Sequence, residues 1–125
     1  MGFKDNVINW FEIPAKDIDR AVKFYNDIFN ADLKVVDFNG TKMAIFSEDY
    51  TKTGGAILQN EFSEPSKTGT TVYFSGGNDL SDVLSKVNNA GGQVVTEKTK
   101  ISDEYGYFGI FIDSEGNKVG LHSMS

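Results

Sequence analysis

Two segments of the chain carry apolar residues at the three- and four-residue spacing of an amphipathic helix. The first segment follows an Asp17 N-cap, and its apolar stripe is Ile18, Ala21, Val22, Tyr25, Ile28 and Phe29. The second follows Asp79, ends at Gly91-Gly92, and has the stripe Leu80, Val83, Leu84, Val87 and Ala90. Asp79 lies 62 residues after Asp17, and the same offset relates five stripe positions. This periodicity indicates an internal repeat, although two similar helices in an unrelated α+β fold would give a related pattern.

Strand-like segments surround both helices in the same order. In the first half they are residues 5–15, 33–38, 41–47 and 54–59, with an Asn39-Gly40 hairpin turn; in the second half they are 70–75, 92–96, 106–112 and 117–123. The charged stretch 97–104 is interpreted as a loop. The pattern predicts an α+β fold of two βαβββ modules, at about residues 5–59 and 70–123, joined by a polar linker at 60–69 within one domain.

Composition narrows the classes of partner. The 125 residues include no cysteine and carry a net charge of −6, which disfavours nucleic acid and anionic membranes as partners. No signal-peptide pattern or membrane-length apolar run is seen, so a cytoplasmic protein is expected. Ten Phe, five Tyr and one Trp provide aromatic walls for a core and for a pocket. The acidic surface would suit a cationic small molecule.

Three motifs carry a family resemblance. They are DIDRAVKFY at 17–25, a GG-led strand at 54–58 and DSEGNKVGLH at 113–122. Together they resemble the vicinal oxygen chelate superfamily of glyoxalases, bleomycin resistance proteins and dioxygenases. WFEIP at 10–14 and GLHS at 120–123 are similar to its glyoxalase-related branch. The resemblance implies two half-barrels around a central cavity and a homodimer.

Enzymes of that superfamily hold a divalent metal through His or Glu residues on the opening and closing strands of each module. Counting seven residues back from each helix cap places Trp10 and Val72 at the opening-strand positions. The closing strands place Gly120 and the segment 55–57 (Gly-Ala-Ile) at the other two. These residues lack suitable donor atoms, so we expect no metal and no other cofactor.

Alternation along the strands predicts the cavity wall. Phe11 and Ile13 are expected to face the helix. The predicted ligand-binding residues are Trp10, Glu12, Val72, Phe74, Phe108, Ile110, Gly120 and His122. Glu12 and His122, the only histidine, are also the candidate catalytic residues. A hydrogen-bonded structural carboxylate and a surface histidine are the competing interpretations of these two residues.

The resulting hypothesis is a metal-free protein that binds a small planar or cationic compound. The alternative is a lyase or isomerase of the glyoxalase-related type that transfers protons through Glu12 and His122. A ligand-sensing or purely structural subunit is the third interpretation, and the sequence leaves open whether any reaction is catalysed.

Overall fold

A computed structural model describes residues 7–47, 49 and 51–125 of the chain. In these residues eight strands and three helices follow one another in two similar halves. The first half contains β1 (Trp10–Pro14), α1 (Ile18–Phe29), β2 (Val36–Phe38), β3 (Thr41–Ile45) and β4 (Gly54–Gln59). The second half contains β5 (Val72–Ser75), α2 (Ser81–Leu84), α3 (Val87–Ala90), β6 (Gln93–Ser102), β7 (Gly106–Ile112) and β8 (Lys118–Ser123).

Each half forms its own four-stranded sheet with the same topology. The strand orders are β1-β4-β3-β2 and β5-β8-β7-β6. The opening strand of each half pairs in parallel with the closing strand, and the remaining pairs are antiparallel. The predicted α+β class with two βαβββ modules is confirmed. Residues 5 and 6 of the predicted first strand lie outside the described residues.

The first helix follows its sequence pattern closely. The Asp17 carboxylate accepts a hydrogen bond from the Arg20 amide, and Asn30 ends the helix in a left-handed conformation. The second helix was predicted as one element and is instead broken into α2 and α3. The N-cap of α2 is Leu80 rather than the predicted Asp79, although the Asp79 carboxylate accepts from the Ser81 amide. The Ser85 hydroxyl donates to the Asp82 carbonyl at the break, a local bond that competes with continued helix.

Both halves contribute to one helix-side core. Its fully buried side chains include Phe24, Tyr25 and Ile57 from the first half, and Leu80 and Phe111 from the second. The opening strands β1 and β5 meet at a seam, where the rings of Phe11 and Phe74 lie 5.5 Å apart. No membrane-length apolar helix occurs in the part of the chain that the structure describes.

The two sequence motifs at 17–25 and 113–117 contact each other across the halves. Arg20 Nε donates to Glu115 Oε2 at 2.7 Å, and the Tyr25 hydroxyl donates to Asp113 Oδ2 at 2.8 Å. Asn117 Nδ2 donates to the carbonyl of Pro14, which closes the same contact onto β1. These polar bonds fix the first helix and strand to the closing turn of the second half.

The predicted loop at 97–104 was wrong over residues 97–102, which belong to β6. Three register shifts between β6 and β7 accompany its polar sequence. As an outer strand of its sheet, β6 leaves much of its surface to solvent. A polar sequence is therefore compatible with a strand at this edge.

Candidate functional site

The face of β1 away from the helices carries Trp10 and Glu12. Phe11 and Ile13 point to the opposite, helix side, where Phe11 packs against the core and Ile13 is 4% exposed. Both of these orientations were predicted. Trp10 is 43% exposed, and its Nε1 donates to Glu12 Oε2 at 3.3 Å. A large aromatic ring is thus held partly open to solvent beside a carboxylate.

In the second sheet, four predicted wall residues share one face. The registers pair Phe108 with His122 and Ile110 with Gly120, and directly opposed residues lie on the same side of a sheet. Their strand neighbours Val119 and Leu121 belong to the helix-side core. Phe108, Ile110, Gly120 and His122 therefore lie on the face away from that core.

We call this face, away from the helix-side core, the open face. Val72 and Phe74 were also predicted to lie on it, and that placement was wrong. Val72 pairs with Val119 and Phe74 with Leu121, so both lie on the helix side. The amides of Ala15 and Gly76 are at equivalent positions, because each donates a hydrogen bond to the closing strand of its own half. Ala15 lies two residues before Asp17, but Gly76 lies three residues before Asp79. Counting back from Asp79 therefore misplaces the residues of β5 by one position.

Tyr73, which the count from Asp79 places on the opposite side, occupies the open face instead. It pairs with Gly120 and is 53% exposed. Phe11 lies beside Phe74, and further along β1, Ile13 and Pro14 line the same cavity as Val72. β1 and β5 therefore run in opposite directions. Glu12 therefore lies across the seam from Tyr73 on the open face. We call the surface formed by Trp10, Glu12, Tyr73, Gly120 and His122 the seam face.

Each of the two seam-face aromatic rings lies over a glycine of the neighbouring closing strand. A Cβ atom added to Gly54 would approach Trp10 Cζ3 to 3.2 Å. A Cβ atom added to Gly120 would collide with the Tyr73 ring at Cδ2. The absence of side chains at these glycines lets the rings lie against the sheet and present a flat surface outward.

Glu12 and His122 have separate partners. His122 Nε2 lies 2.6 Å from the Tyr105 carbonyl, and because a carbonyl only accepts, this nitrogen carries the proton. Glu12 accepts from Trp10 instead. The described residues show no hydrogen bond or ion pair that joins Glu12 to His122 directly.

A cavity of about 200 Å³, which we call the seam cavity, opens at one end of the seam. Its charged lining residues are Glu12, Glu64 and Lys118, and the linker contributes Ser66 and Gly69. Two carboxylates against one ammonium group favour a positively charged occupant. A wider depression of about 640 Å³ lies between the linker and the start of α1, with a largely polar lining that includes Lys16, Lys42 and Glu61.

The residues at the four metal-ligand positions do not fit a metal ion. Because Ala15 and Gly76 are equivalent, the opening-strand positions are Trp10 and Thr71, which lie five residues before them. Leu58 and His122, whose carbonyls accept these two bonds, are equivalent on the closing strands. The closing-strand positions lie two residues earlier, at Ala56 and Gly120. None of the four carries an imidazole, thiolate or carboxylate. Across the described ranges, no three His, Asp or Glu side chains cluster closely enough to hold an ion.

Comparison with known proteins relates the chain to a large superfamily. Residues 7–121 match the model of the Glyoxalase/Bleomycin resistance protein/Dioxygenase superfamily. A "Glyoxylase-like domain-containing protein" from Didymella fabae is 30% identical over 114 residues, which cover 88% of each chain.

Solved structures show the same fold at lower identity. A glyoxalase I mutant from Zea mays superposes with a TM-score of 0.72 at 18% identity, over 92% of this chain and 45% of that one. A glyoxalase/bleomycin resistance protein/dioxygenase family enzyme from Burkholderia phytofirmans gives 0.67 at 15% identity, over 94% and 98%. An integron cassette protein from V. cholerae gives 0.63 at 21% identity and covers both chains fully.

Proposed function

This chain belongs to the glyoxalase/bleomycin resistance protein/dioxygenase superfamily, and from that premise we propose that it binds a small planar, cationic compound without a metal ion. The observation that carries the proposal is the pair of rings on the seam face. Trp10 and Tyr73 are both exposed and lie over glycines, on the opening strands of the two halves. Flat exposed rings favour a ligand that stacks.

The charges around these rings support a cation. Glu12 borders both the Trp10 ring and the seam cavity, and Glu64 adds a second carboxylate to that cavity. A cation above an aromatic face gains from the ring's quadrupole, and a nearby carboxylate adds a favourable charge interaction. The net charge of −6 also attracts a cation at long range.

The alternative function, a lyase or isomerase, requires Glu12 and His122 to act on one substrate. Their separate hydrogen-bond partners give this alternative less support than ligand binding. The Nε2–H of His122 is directed at the Tyr105 carbonyl, which leaves Nδ1 available for a hydrogen bond with a ligand.

Fluorescence of the single tryptophan tests the proposal, because Trp10 reports on the seam face itself. We expect proflavine, a planar cation, to quench Trp10 fluorescence saturably. Loss of one stacking partner is worth about 0.5–2 kcal/mol, so Tyr73→Ala should weaken binding roughly two- to thirtyfold. Glu12→Gln should also weaken proflavine binding, because it removes the carboxylate charge beside the Trp10 ring.

The matched control is Phe62→Ala, which removes an aromatic ring that is 87% exposed in the linker. It should leave proflavine binding unchanged. Quenching that never saturates, or that is unaffected by Tyr73→Ala, would contradict the proposed site.

A further inference from the structure

A third cavity lies on the helix side of β1, opposite the seam face. It has a volume of about 290 Å³, and we call it the aromatic cleft. Its walls are the rings of Phe11, Tyr25, Phe29, Phe46 and Phe74. It neither includes Trp10 nor touches the seam cavity's charged residues.

The rings of the aromatic cleft form a connected wall rather than a closed core. Phe74 lies 5.2 Å from Phe29 and 5.1 Å from Phe46, measured between ring centroids. Phe11 stacks on Phe46 at 5.7 Å. Tyr25 is fully buried, whereas the four phenylalanines are only partly buried.

Small residues line the cleft between these walls. They are Gly54, Gly55 and Ala31. A Cβ atom at Gly55 would lie 2.5 Å from Phe11 Cδ1, so the Phe11 ring rests directly against the strand backbone. Ala31 is exposed at the rim, just after the end of α1.

The chemistry of the lining defines the occupant. None of the described lining residues carries a charge, and the polar ones are the hydroxyl residues Ser47, Thr53, Ser75 and Tyr25. A dry apolar cavity of about 150 Å³ can hold benzene, and this cleft has about twice that volume. We propose that the aromatic cleft is a second binding site, for a small uncharged aromatic molecule of about two fused rings.

Indole tests this proposal in solution. With phenylalanine rings labelled for NMR, indole should shift the ring signals of Phe11, Phe29 and Phe74 saturably. Ala31→Trp places a large side chain at the rim of the cleft, at an exposed position where the fold should tolerate it. It should reduce indole affinity roughly tenfold or more, because the new side chain takes the ligand's volume.

Two control variants isolate the cleft. Lys34→Trp adds the same side chain at an exposed position that does not line the cleft, and it should leave indole binding intact. Trp10→Ala should also leave it intact, so failure here is distinguishable from failure at the seam face.

Three outcomes would overturn the proposal. They are the absence of saturable ring shifts up to the solubility of indole, equal shifts in Ala31→Trp, and contacts from a second copy or another chain segment that already fill the cleft.

Discussion

Tyr25 is the residue in which packing and polar chemistry meet most directly. Its ring lies in the helix-side core, while its hydroxyl donates to Asp113 across the two halves. Burial, together with the negative charge of Asp113, raises the pKa of Tyr25 well above its ordinary value. The hydroxyl therefore stays protonated and continues to donate.

We expect Tyr25→Phe to lower the free energy of unfolding by about 1–3 kcal/mol, because a buried carboxylate loses one donor. Asp113 keeps the Asn117 side chain as a donor, which limits the loss. Urea denaturation measures the change. Tyr73→Phe, which removes the hydroxyl of an exposed tyrosine, is the control and should change stability little; an unchanged midpoint for Tyr25→Phe would contradict this role.

At individual positions, strand alternation predicted which face of the sheet a residue occupies only where the strand register was anchored. Trp10, Glu12, Gly120 and His122 fall on the predicted face, because no irregularity separates them from their reference residues. Val72 and Phe74 do not, because the turn at Gly76-Gly77 contains one extra residue. Gly77 has a φ of +75°, and such turn geometry is weakly encoded in a single sequence.

Among the elements, those with a strong apolar periodicity were predicted best. α1, β4 and β7 have the expected bounds, since each has a face or a whole strand buried in the described structure. The length of β6 was underestimated, because an outer strand can be polar. The contact between the two sequence motifs was not predicted, since spacing along the chain does not reveal which distant segments pack together.

The closing turn of the second half is joined to the start of α1 through Glu115. Its carboxylate accepts from the amides of Lys16 and Asp17 and from the Arg20 side chain. Burial acts to raise the pKa of Glu115, but the Arg20 guanidinium and the Asp17 amide outweigh it, so the pKa lies below its ordinary value of 4.5. Glu115 thus links the two elements more strongly when it is ionised than when it is protonated.

A depressed folded-state pKa makes this link sensitive to acid. The stabilisation is fully present above the unfolded value near 4.5 and is lost as pH falls through the folded-state pKa. Glu115→Gln should be less stable at pH 7 and should lose less stability between pH 5 and pH 3, roughly the range of these pKa values. Denaturation midpoints across that range measure it.

The control for the acid experiment is Glu104→Gln, at an exposed position in the β6–β7 turn. Its stability should fall with pH as steeply as that of the unmodified protein. An equally steep decline in Glu115→Gln would contradict the role assigned to Glu115.

For the whole molecule, the exposed sheet edge at β2 favours self-association. β2 is an outer strand with Val36 41% and Phe38 54% exposed, and apolar edge strands tend to be covered by a partner. We expect a homodimer with twice the 13.8 kDa chain mass in sedimentation experiments at micromolar concentration. Phe38→Lys should weaken the dimer, whereas Phe62→Lys in the linker should not; a monomer throughout would contradict the expectation.

We propose that the seam face binds a planar cation on the rings of Trp10 and Tyr73. A crystal structure of the complex with proflavine would show the contacts themselves. We expect one proflavine stacked on the ring of Trp10 or Tyr73, with its charged edge toward Glu12. Proflavine bound away from both rings, or a metal ion held on the seam face, would contradict it.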